Sequence, residues 1–446
     1  MRWARAERSG GPAGRVVLVA LWLASCGGTS SGPKAATPPA TFPSSPAGLP
    51  NIIIILADDL GYGDMSANGP SRLKTPNLDQ MAAEGVRLTG FDVPAAICAP
   101  SRAALMTGRY PVRTGIFWNP PVRLNPGEIT IAEALKARGY VTSMVGKWHL
   151  GWDRDDMPTH HGFDFYYGMP AGEDPNYFMR QDQITNDGVG LEELAWRYTV
   201  EAVDFIHSVR DRPFFLYLAH RSPHTPLYAS YRFAGTSSAG ILGDVVAELD
   251  WGVGEVIRAL RETGHDRDTF VFFFSDNGPD LKEGSESGSA GPFSGGKGSP
   301  QEGGLREPAI AWWPGRLPAG KVVTEPTVSM DLFPTVLALA GGTLPTDRNY
   351  DGQDIFKVLT GEVTMIPGPG VDGGRELLSW EGEAAVALRT GKWKYLGPGF
   401  WQLTPGFYDL EADPGERNDL SAAQPDLARR MKDRLAEDFL EVTRGK

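Results

Sequence analysis

The chain has 446 residues, 41% of them hydrophobic and 22% charged, an ordinary globular composition long enough for one large domain and a smaller one. Its formal net charge of -12 argues against nucleic acid as a partner, since phosphate binding needs a basic face. An acidic surface also repels anionic substrates at long range, so any anion must be met by positive charge gathered locally in its site.

The first segment reads as a targeting sequence. Arg2, Arg5, Arg8 and Arg15 precede an apolar run over 16–24 that is too short to span a bilayer. The run ends in Leu23-Ala24-Ser25-Cys26, which is similar to the bacterial lipobox, where the cysteine is lipidated and becomes the mature N-terminus. A plain secretory signal and a membrane anchor with a poor span are the other readings of these residues. On the lipobox reading, residues 1–26 are a lipoprotein signal. The protein is then exported and held at a bacterial membrane, periplasmic or cell-surface, by lipid on Cys26 alone. Residues 27–50, rich in Gly, Ser, Thr, Pro and Ala and without apolar periodicity, form a flexible tether. With Cys26 lipidated, Cys98 has no second cysteine to pair with, and the body must rely on its core.

From residue 51 onward, apolar strand-like runs alternate with helical patterns, which predicts an α/β fold with a parallel sheet covered on both faces. Ile52-Ile53-Ile54-Ile55-Leu56 is a continuous β-branched run, as a strand buried on both faces requires. Thr75 caps a helix with Pro76 in its first turn, and Gly85 stops it. The stretch Cys98-Ala99-Pro100-Ser101-Arg102 through Gly108-Arg109 places a cysteine on a loop leading into a short helix, with an arginine in the first turn. Thr130 and Glu133 have capping-box spacing, and Gly139 ends that helix. A strand follows over 140–145, a helix over 191–209, a strand over 214–218, a helix over 243–261 and a strand over 269–274. The Gly/Ser-rich stretch 284–304 reads in isolation as a flexible linker. A Pro/Gly-rich break over 366–374 separates a larger domain, 51–365, from a smaller α+β domain, 366–446. The latter holds a hairpin over 385–396 turning at Thr390-Gly391 and a final amphipathic helix carrying Leu427, Met431, Leu435 and Phe439.

Each strand run is followed at once by unusual polar residues. Asp58 and Asp59 follow the first, and Lys147 and His149 the second. His220 and His224 follow the third, and Asp276 and Asn277 the fourth. In open α/β sheets ligands bind outside the carboxyl ends of the strands, so parallel strands deliver these groups to one crevice. Asp58, Asp59, Asp276 and Asn277 are hard oxygen donors without the His and Cys content that zinc prefers. Adjacent carboxylates repel unless a cation neutralises them, which favours calcium, the more tolerant of irregular oxygen geometry, over magnesium. Turn and capping chemistry is the alternative reading of such Asp and Asn residues. Arg102, Lys147, His149, His224 and Lys297 would supply the local positive charge. Singly, a solvated lysine or a hydrogen-bonded structural histidine explains each as well. A glycine-rich loop around Lys297 would let its backbone approach an anion closely.

The segments Ala57-Asp58-Asp59-Leu60-Gly61, Cys98 to Arg109, Gly146-Lys147-Trp148-His149-Leu150-Gly151, Ser275-Asp276-Asn277-Gly278 and Gly296-Lys297-Gly298 with Glu302-Gly303-Gly304 together resemble the type I sulfatases. The resemblance is to the arylsulfatase A-like branch of the alkaline phosphatase superfamily. Phe407-Tyr408-Asp409-Leu410 through Asp413-Pro414-Gly415-Glu416 is similar to the closing segment of that family.

The resemblance implies an alkaline phosphatase-like fold, a large mixed, mostly parallel sheet flanked by helices. It implies hydrolysis of an organic sulfate monoester on a small molecule or a glycan. Cys98 is then oxidised to formylglycine by a formylglycine-generating enzyme, and the hydrated aldehyde supplies the nucleophile. Calcium is held by Asp58, Asp59, Asp276, Asn277 and the modified Cys98. Arg102 and Lys147 steady the nucleophile, His149 assists breakdown of the sulfated intermediate, and His224 and Lys297, with Lys147, contact the substrate. One departure is that Gly168-Met169-Pro170-Ala171-Gly172-Glu173-Asp174 lacks the serine that the branch carries in this loop, so no residue is transferred from it. The alternatives are a phosphonate monoester or phosphodiester hydrolase built on the same formylglycine, and a lipid-anchored glycan-binding protein without turnover.

Overall fold

The Ile52-Ile53-Ile54-Ile55 run folds as the strand Asn51–Ala57, buried along its whole length. In a computed structural model that describes residues 48–120, 122–171, 177–185, 189–209, 211–399 and 404–444, this strand lies at the middle of a ten-stranded sheet. The expected signal with Cys26, and the expected tether up to residue 47, lie outside the described residues. So do Gly172, Glu173 and Asp174 of the loop lacking the serine.

In order across the sheet the strands are Lys321–Val323, Val86–Leu88, Ala309–Trp312, Thr269–Ser275, Asn51–Ala57, Phe214–Ala219, Val141–Gly146, Phe165–Gly168, Met179–Arg180 and Gln183–Ile184. The five from Thr269–Ser275 to Phe165–Gly168 run parallel, while Ala309–Trp312 and the Met179–Arg180 hairpin are antiparallel to their neighbours. The sheet is therefore mixed and mostly parallel. All four strands expected from continuous apolar runs belong to the parallel block.

Alternation along one strand feeds two cores, because successive side chains leave opposite faces of the sheet. Ile52, Ile54 and Leu56 pack with Ala99, Ala103, Leu135 and Leu332, under the helices Cys98–Thr107, Ile131–Lys136 and Leu332–Leu339. Ile53 and Ile55 pack with Leu78, Tyr198, Ile206, Leu249 and Val253, under the helices Pro76–Glu84, Leu194–Ser208 and Gly240–Thr263.

The helix signals hold, with local differences. Thr130 and Glu133 form both bonds of the capping box. Thr75 stands at the N-cap of Pro76–Glu84 but makes no side-chain cap bond, because its hydroxyl is engaged with Ser66 and Asp79. Cys98 is not on a loop: the helix begins at Cys98 itself, with Ile97 as N-cap. Pro100 is tolerated in the first turn because its missing N–H would have no intrahelical acceptor there.

The C-terminal part forms a four-stranded antiparallel sheet, Leu377–Glu381, Ala384–Thr390, Trp393–Leu396 and Gly406–Asp409, crossed by the helix Pro425–Thr443. Thr390 pairs with Trp393, so the hairpin turns at Gly391-Lys392, one residue later than expected. Met431 and Leu435 of the helix share a core with Leu388 and Phe407, and also with Ala104, Tyr110 and Met330 of the larger part. Among the described residues no helix is long and apolar enough to cross a membrane.

Candidate active site

The parallel strands end on one edge, and their hydrogen-bond ladder continues into the polar residues beyond. Asp276 N–H donates to Ala57 O at 3.0 Å, Asp58 N–H to Ser222 O at 3.1 Å and Lys147 N–H to Ala219 O at 2.9 Å. These bonds fix where each following side chain points. Two positions carry left-handed backbone, Asp59 (φ 67°) and His149 (φ 63°), a conformation costly for any non-glycine residue. No sequence signal marked either.

Cys98 Sγ lies 3.4 Å from Asp58 Oδ1 and is fully buried. The other oxygen of Asp58 accepts from Lys147 Nζ at 2.7 Å and faces Arg102 Nη2 at 3.5 Å. Arg102, buried on its helix, reaches Asp276 Oδ2 with Nε at 2.8 Å and Nη2 at 2.7 Å, and donates from Nη1 to Lys147 O at 2.9 Å. Asp59 Oδ2 accepts from Lys297 Nζ at 2.7 Å and has His224 Nε2 at 3.8 Å, while Asn277 Nδ2 donates to Asp59 Oδ1 at 2.7 Å. Cys98, Arg102, Lys147, Asp58, Asp59, His224, Asp276, Asn277 and Lys297 are thus one connected cluster. His149 is buried beside it, with its backbone N–H on Pro170 O at 2.7 Å.

His220 is a correction. Expected at the crevice, it is fully buried on the helix side, ringed by Tyr198 and the backbone at Gly252. Its N–H continues the ladder to Leu56 O, so strand alternation turns its side chain into the core.

Electrostatics sort the cluster into roles. Burial would raise the Asp58 carboxyl, but Lys147, His224 and Arg102 hold it well below the usual carboxylate range. Burial and the neighbouring Asp58 push Asp59 up, and push Asp276 up to about 6. Such mutual repulsion among buried carboxylates is relieved by a cation. Burial, with Lys147 and Arg102 adding repulsion, holds His149 well below 6.5, and burial holds His224 down at about 4. Both rings are therefore neutral at pH 7.

Asp58, Asp59, Cys98 and His224 each bring a potential ligand atom within 4.8 Å of the others. Asn277 adds a buried Oδ1 without a hydrogen-bond partner, and Asp276 adds a carboxylate whose Oδ1 accepts from Asp59 N–H at 3.3 Å. The donors are mainly carboxylate and amide oxygens, a set that fits a hard divalent cation.

The segment 284–304 is not a linker but a cradle. Lys297 N–H donates to Pro279 O at 2.9 Å, Gly298 N–H to Ala96 O at 2.7 Å and Gly303 N–H to Ser294 O at 2.7 Å. A Cβ at Gly278 would stand 1.9 Å from Gly303 O, so this approach of two backbones needs glycine. Asn119 was missed from sequence: its Oδ1 accepts from Ala99 N–H at 3.0 Å, satisfying a first-turn donor beside Cys98.

Comparison with known proteins agrees with this geometry. A family model described as Sulfatase matches residues 50–342. N-acetylgalactosamine-6-sulfatase of Mus musculus is 41% identical over 378 residues, covering 77% of this chain and 71% of the relative. Arylsulfatase A of Homo sapiens is 36% identical, with 86% of each chain covered. The crystal structure of Ps i-CgsB in complex with k-i-k-neocarrahexaose superposes with a TM-score of 0.80 at 30% identity, covering 88% of this chain and 93% of that one. The matched stretch 50–342 contains the strand ends and the Cys98 helix, and the chain belongs to the sulfatase family of sulfuric ester hydrolases.

Proposed function

We propose that the protein hydrolyses a sulfate monoester carried by a glycan, using formylglycine at position 98 and bound calcium. The observation that carries this reading is the seating of Cys98 at a helix start, its Sγ 3.4 Å from Asp58 Oδ1, among the site's lysines and carboxylates. A glycan is favoured because relatives named as N-acetylgalactosamine-6-sulfatases and a relative solved with a neocarrahexaose are similar along most of the chain.

Hydrated formylglycine supplies one hydroxyl as nucleophile and a second that allows the aldehyde to be regenerated. Calcium would be held by Asp58, Asp59, Asp276, Asn277 and the side chain at 98, where it would supply Lewis-acid stabilisation of negative oxygen. The protein's own groups do the rest. Lys147 and Arg102, both fully buried, steady the side chain at 98 and offset its charge. Lys297 and His224, less deeply buried, face the entering sulfate and the leaving oxygen. His149, held neutral, accepts a proton from position 98. Lipid on Cys26 would tether the exported enzyme at its membrane, a point read from the mass of the mature N-terminal peptide.

The test combines three measurements on the purified protein. Mass spectrometry of the peptide containing Cys98 should give the aldehyde in place of the thiol. A chelator should lower both turnover and Tm, with calcium restoring each, because Asp58, Asp59 and Asp276 would be left to repel one another. Turnover should be higher on sulfated N-acetylgalactosamine than on an aryl phosphodiester. A higher kcat/KM on the diester, or an unmodified thiol in fully active enzyme, overturns the proposal.

A further inference from the structure

The chain on either side of Cys98 is tied to distant segments. Trp380 N–H, on the strand Leu377–Glu381, donates to Pro94 O, and Gly298 N–H, next to Lys297, donates to Ala96 O, each at 2.7 Å. Two peptides flank the Cα at 98 and set the direction of its side chain. The first is held by the helix Cys98–Thr107 itself, as Ser101 N–H donates to Ile97 O at 3.2 Å. The second presents Ala99 N–H, a first-turn donor with no intrahelical acceptor. Asn119 Oδ1 accepts from it at 3.0 Å, from 20 residues further along the chain. Asn119 is held in turn. Trp118 beside it lies against the turn at Gly382, where φ is 62° and a Cβ would stand 2.8 Å from the indole Cζ2.

We infer that Asn119 is a positioning residue for sulfate ester hydrolysis, fixing the peptide between residues 98 and 99 so that the side chain at 98 points at Asp58. The inference rests on the reading of position 98 as the reacting group. Ala99 is fully buried, so its N–H would be left without a partner if Asn119 were removed. The peptide is then free to tilt toward another acceptor, and the Cβ at 98 moves with it. Cys98 Sγ stands 3.4 Å from Asp58 Oδ1, a contact that a small tilt would break. A misplacement of about 1 Å at a reacting atom can cost about 100-fold in rate. Asn119 acts on the backbone of Ala99, so its loss should fall on kcat rather than on substrate binding. An isosteric carboxylate accepts the same bond, and negative charge is favoured at a helix N-terminus.

The test compares wild type, Asn119→Ala and Asn119→Asp as full chains on one sulfate ester, with rates expressed per converted position 98 from mass spectrometry. Asn119→Ala should lower kcat by about tenfold with KM within about twofold of wild type. Asn119→Asp should keep kcat within about threefold. Hydrogen exchange at the Ala99 amide should be slow in wild type and in Asn119→Asp, and faster in Asn119→Ala. An Asn119→Ala kcat within about twofold of wild type, a loss confined to KM, or an equal kcat loss in Asn119→Asp overturns the inference while leaving the proposed function intact. Should Asn119→Ala fail to fold, rapid Ala99 exchange in wild type or a tenfold kcat loss in Asn119→Asp still overturns it. Converted wild type without turnover on any sulfate ester overturns the proposed function as well.

Discussion

Burial raises the Cys98 thiol well above its usual 9.0; Lys147 opposes the rise while Asp58 and Asp276 add to it. A buried, protonated thiol is a poor nucleophile. On the proposed reading the position gains its chemistry when the side chain is converted, so a buried thiol there is a precursor rather than the nucleophile. His149 illustrates the complementary case, a side chain whose environment fixes its protonation. Burial, Lys147 and Arg102 hold it neutral, so the base form is already populated at neutral pH and its protonation lies well below pH 6.5. Lowering the pH from about 8 to 6.5 should therefore cost no kcat through this group. His149→Asn preserves the left-handed backbone, which asparagine adopts readily, and removes the ring. It should lower kcat by about 100-fold with little change in Tm. A variant kcat within about threefold of wild type on the same sulfate ester would remove His149 from the reaction.

At the scale of elements, the strand ends carry the site, and the loops between them are stitched by single side chains. Asp64, in the turn after Asp58-Asp59, accepts from Gly61 N–H and Ser289 N–H, each at 3.0 Å, joining the Asp58-Asp59 turn to the 284–304 cradle. Burial pushes its carboxyl from 3.8 up to about 6 despite those bonds. Between these values the folded state binds more protons than the unfolded chain. The stabilisation from protonation is complete below 3.8 and is lost as pH rises through about 6, on the order of 3 kcal/mol across the window. In Asp64→Asn that slope is absent. The unfolding free energy of the variant, relative to wild type, should increase as pH rises from about 4 to 6.5 in urea titrations, and a flat difference would refute the assignment. The strands themselves were legible because β-branched runs such as Ile52 to Ile55 have one reading. Their polar successors were legible as a set because parallel strands share an edge. His220 was misplaced because alternation, not proximity to a strand end, decides which face a side chain takes. The 284–304 stretch was ambiguous because glycine content cannot distinguish a slack chain from backbones in contact. Asn119 carries no local signal at all, since its contact with Ala99 N–H depends on how the chain returns to the Cys98 helix.

At the scale of the whole molecule, the C-terminal sheet is locked to the catalytic body by buried charge as well as by apolar packing. Lys394 on the strand Trp393–Leu396 holds Glu302 at 2.8 Å and Glu416 at 3.0 Å, and Glu302 N–H donates to Glu416 at 2.7 Å. Arg389 on the adjacent strand makes paired bonds of 2.7 and 2.8 Å to Asp92, and Arg306 bonds Glu302. Glu302 follows Lys297 by five residues, so this network also sets the seat of the cradle that carries Lys297. A buried ion pair need not stabilise a fold relative to apolar packing, but breaking one side leaves an uncompensated charge. Lys394→Met should therefore lower the unfolding free energy by about 3–5 kcal/mol in denaturant titrations. Adding Glu416→Gln to that variant should recover a large part of the loss, because Glu302 keeps Arg306 while Glu416 has lost the cation it faced. If the single variant loses less than about 1 kcal/mol, the network is incidental to docking, and the shared core of Met431, Leu435, Tyr110 and Met330 must hold the sheet alone. If the double variant regains stability but not turnover on a sulfate ester, the charges position the cradle rather than hold the fold. The two outcomes separate an architectural role for the C-terminal sheet from a part in building the site.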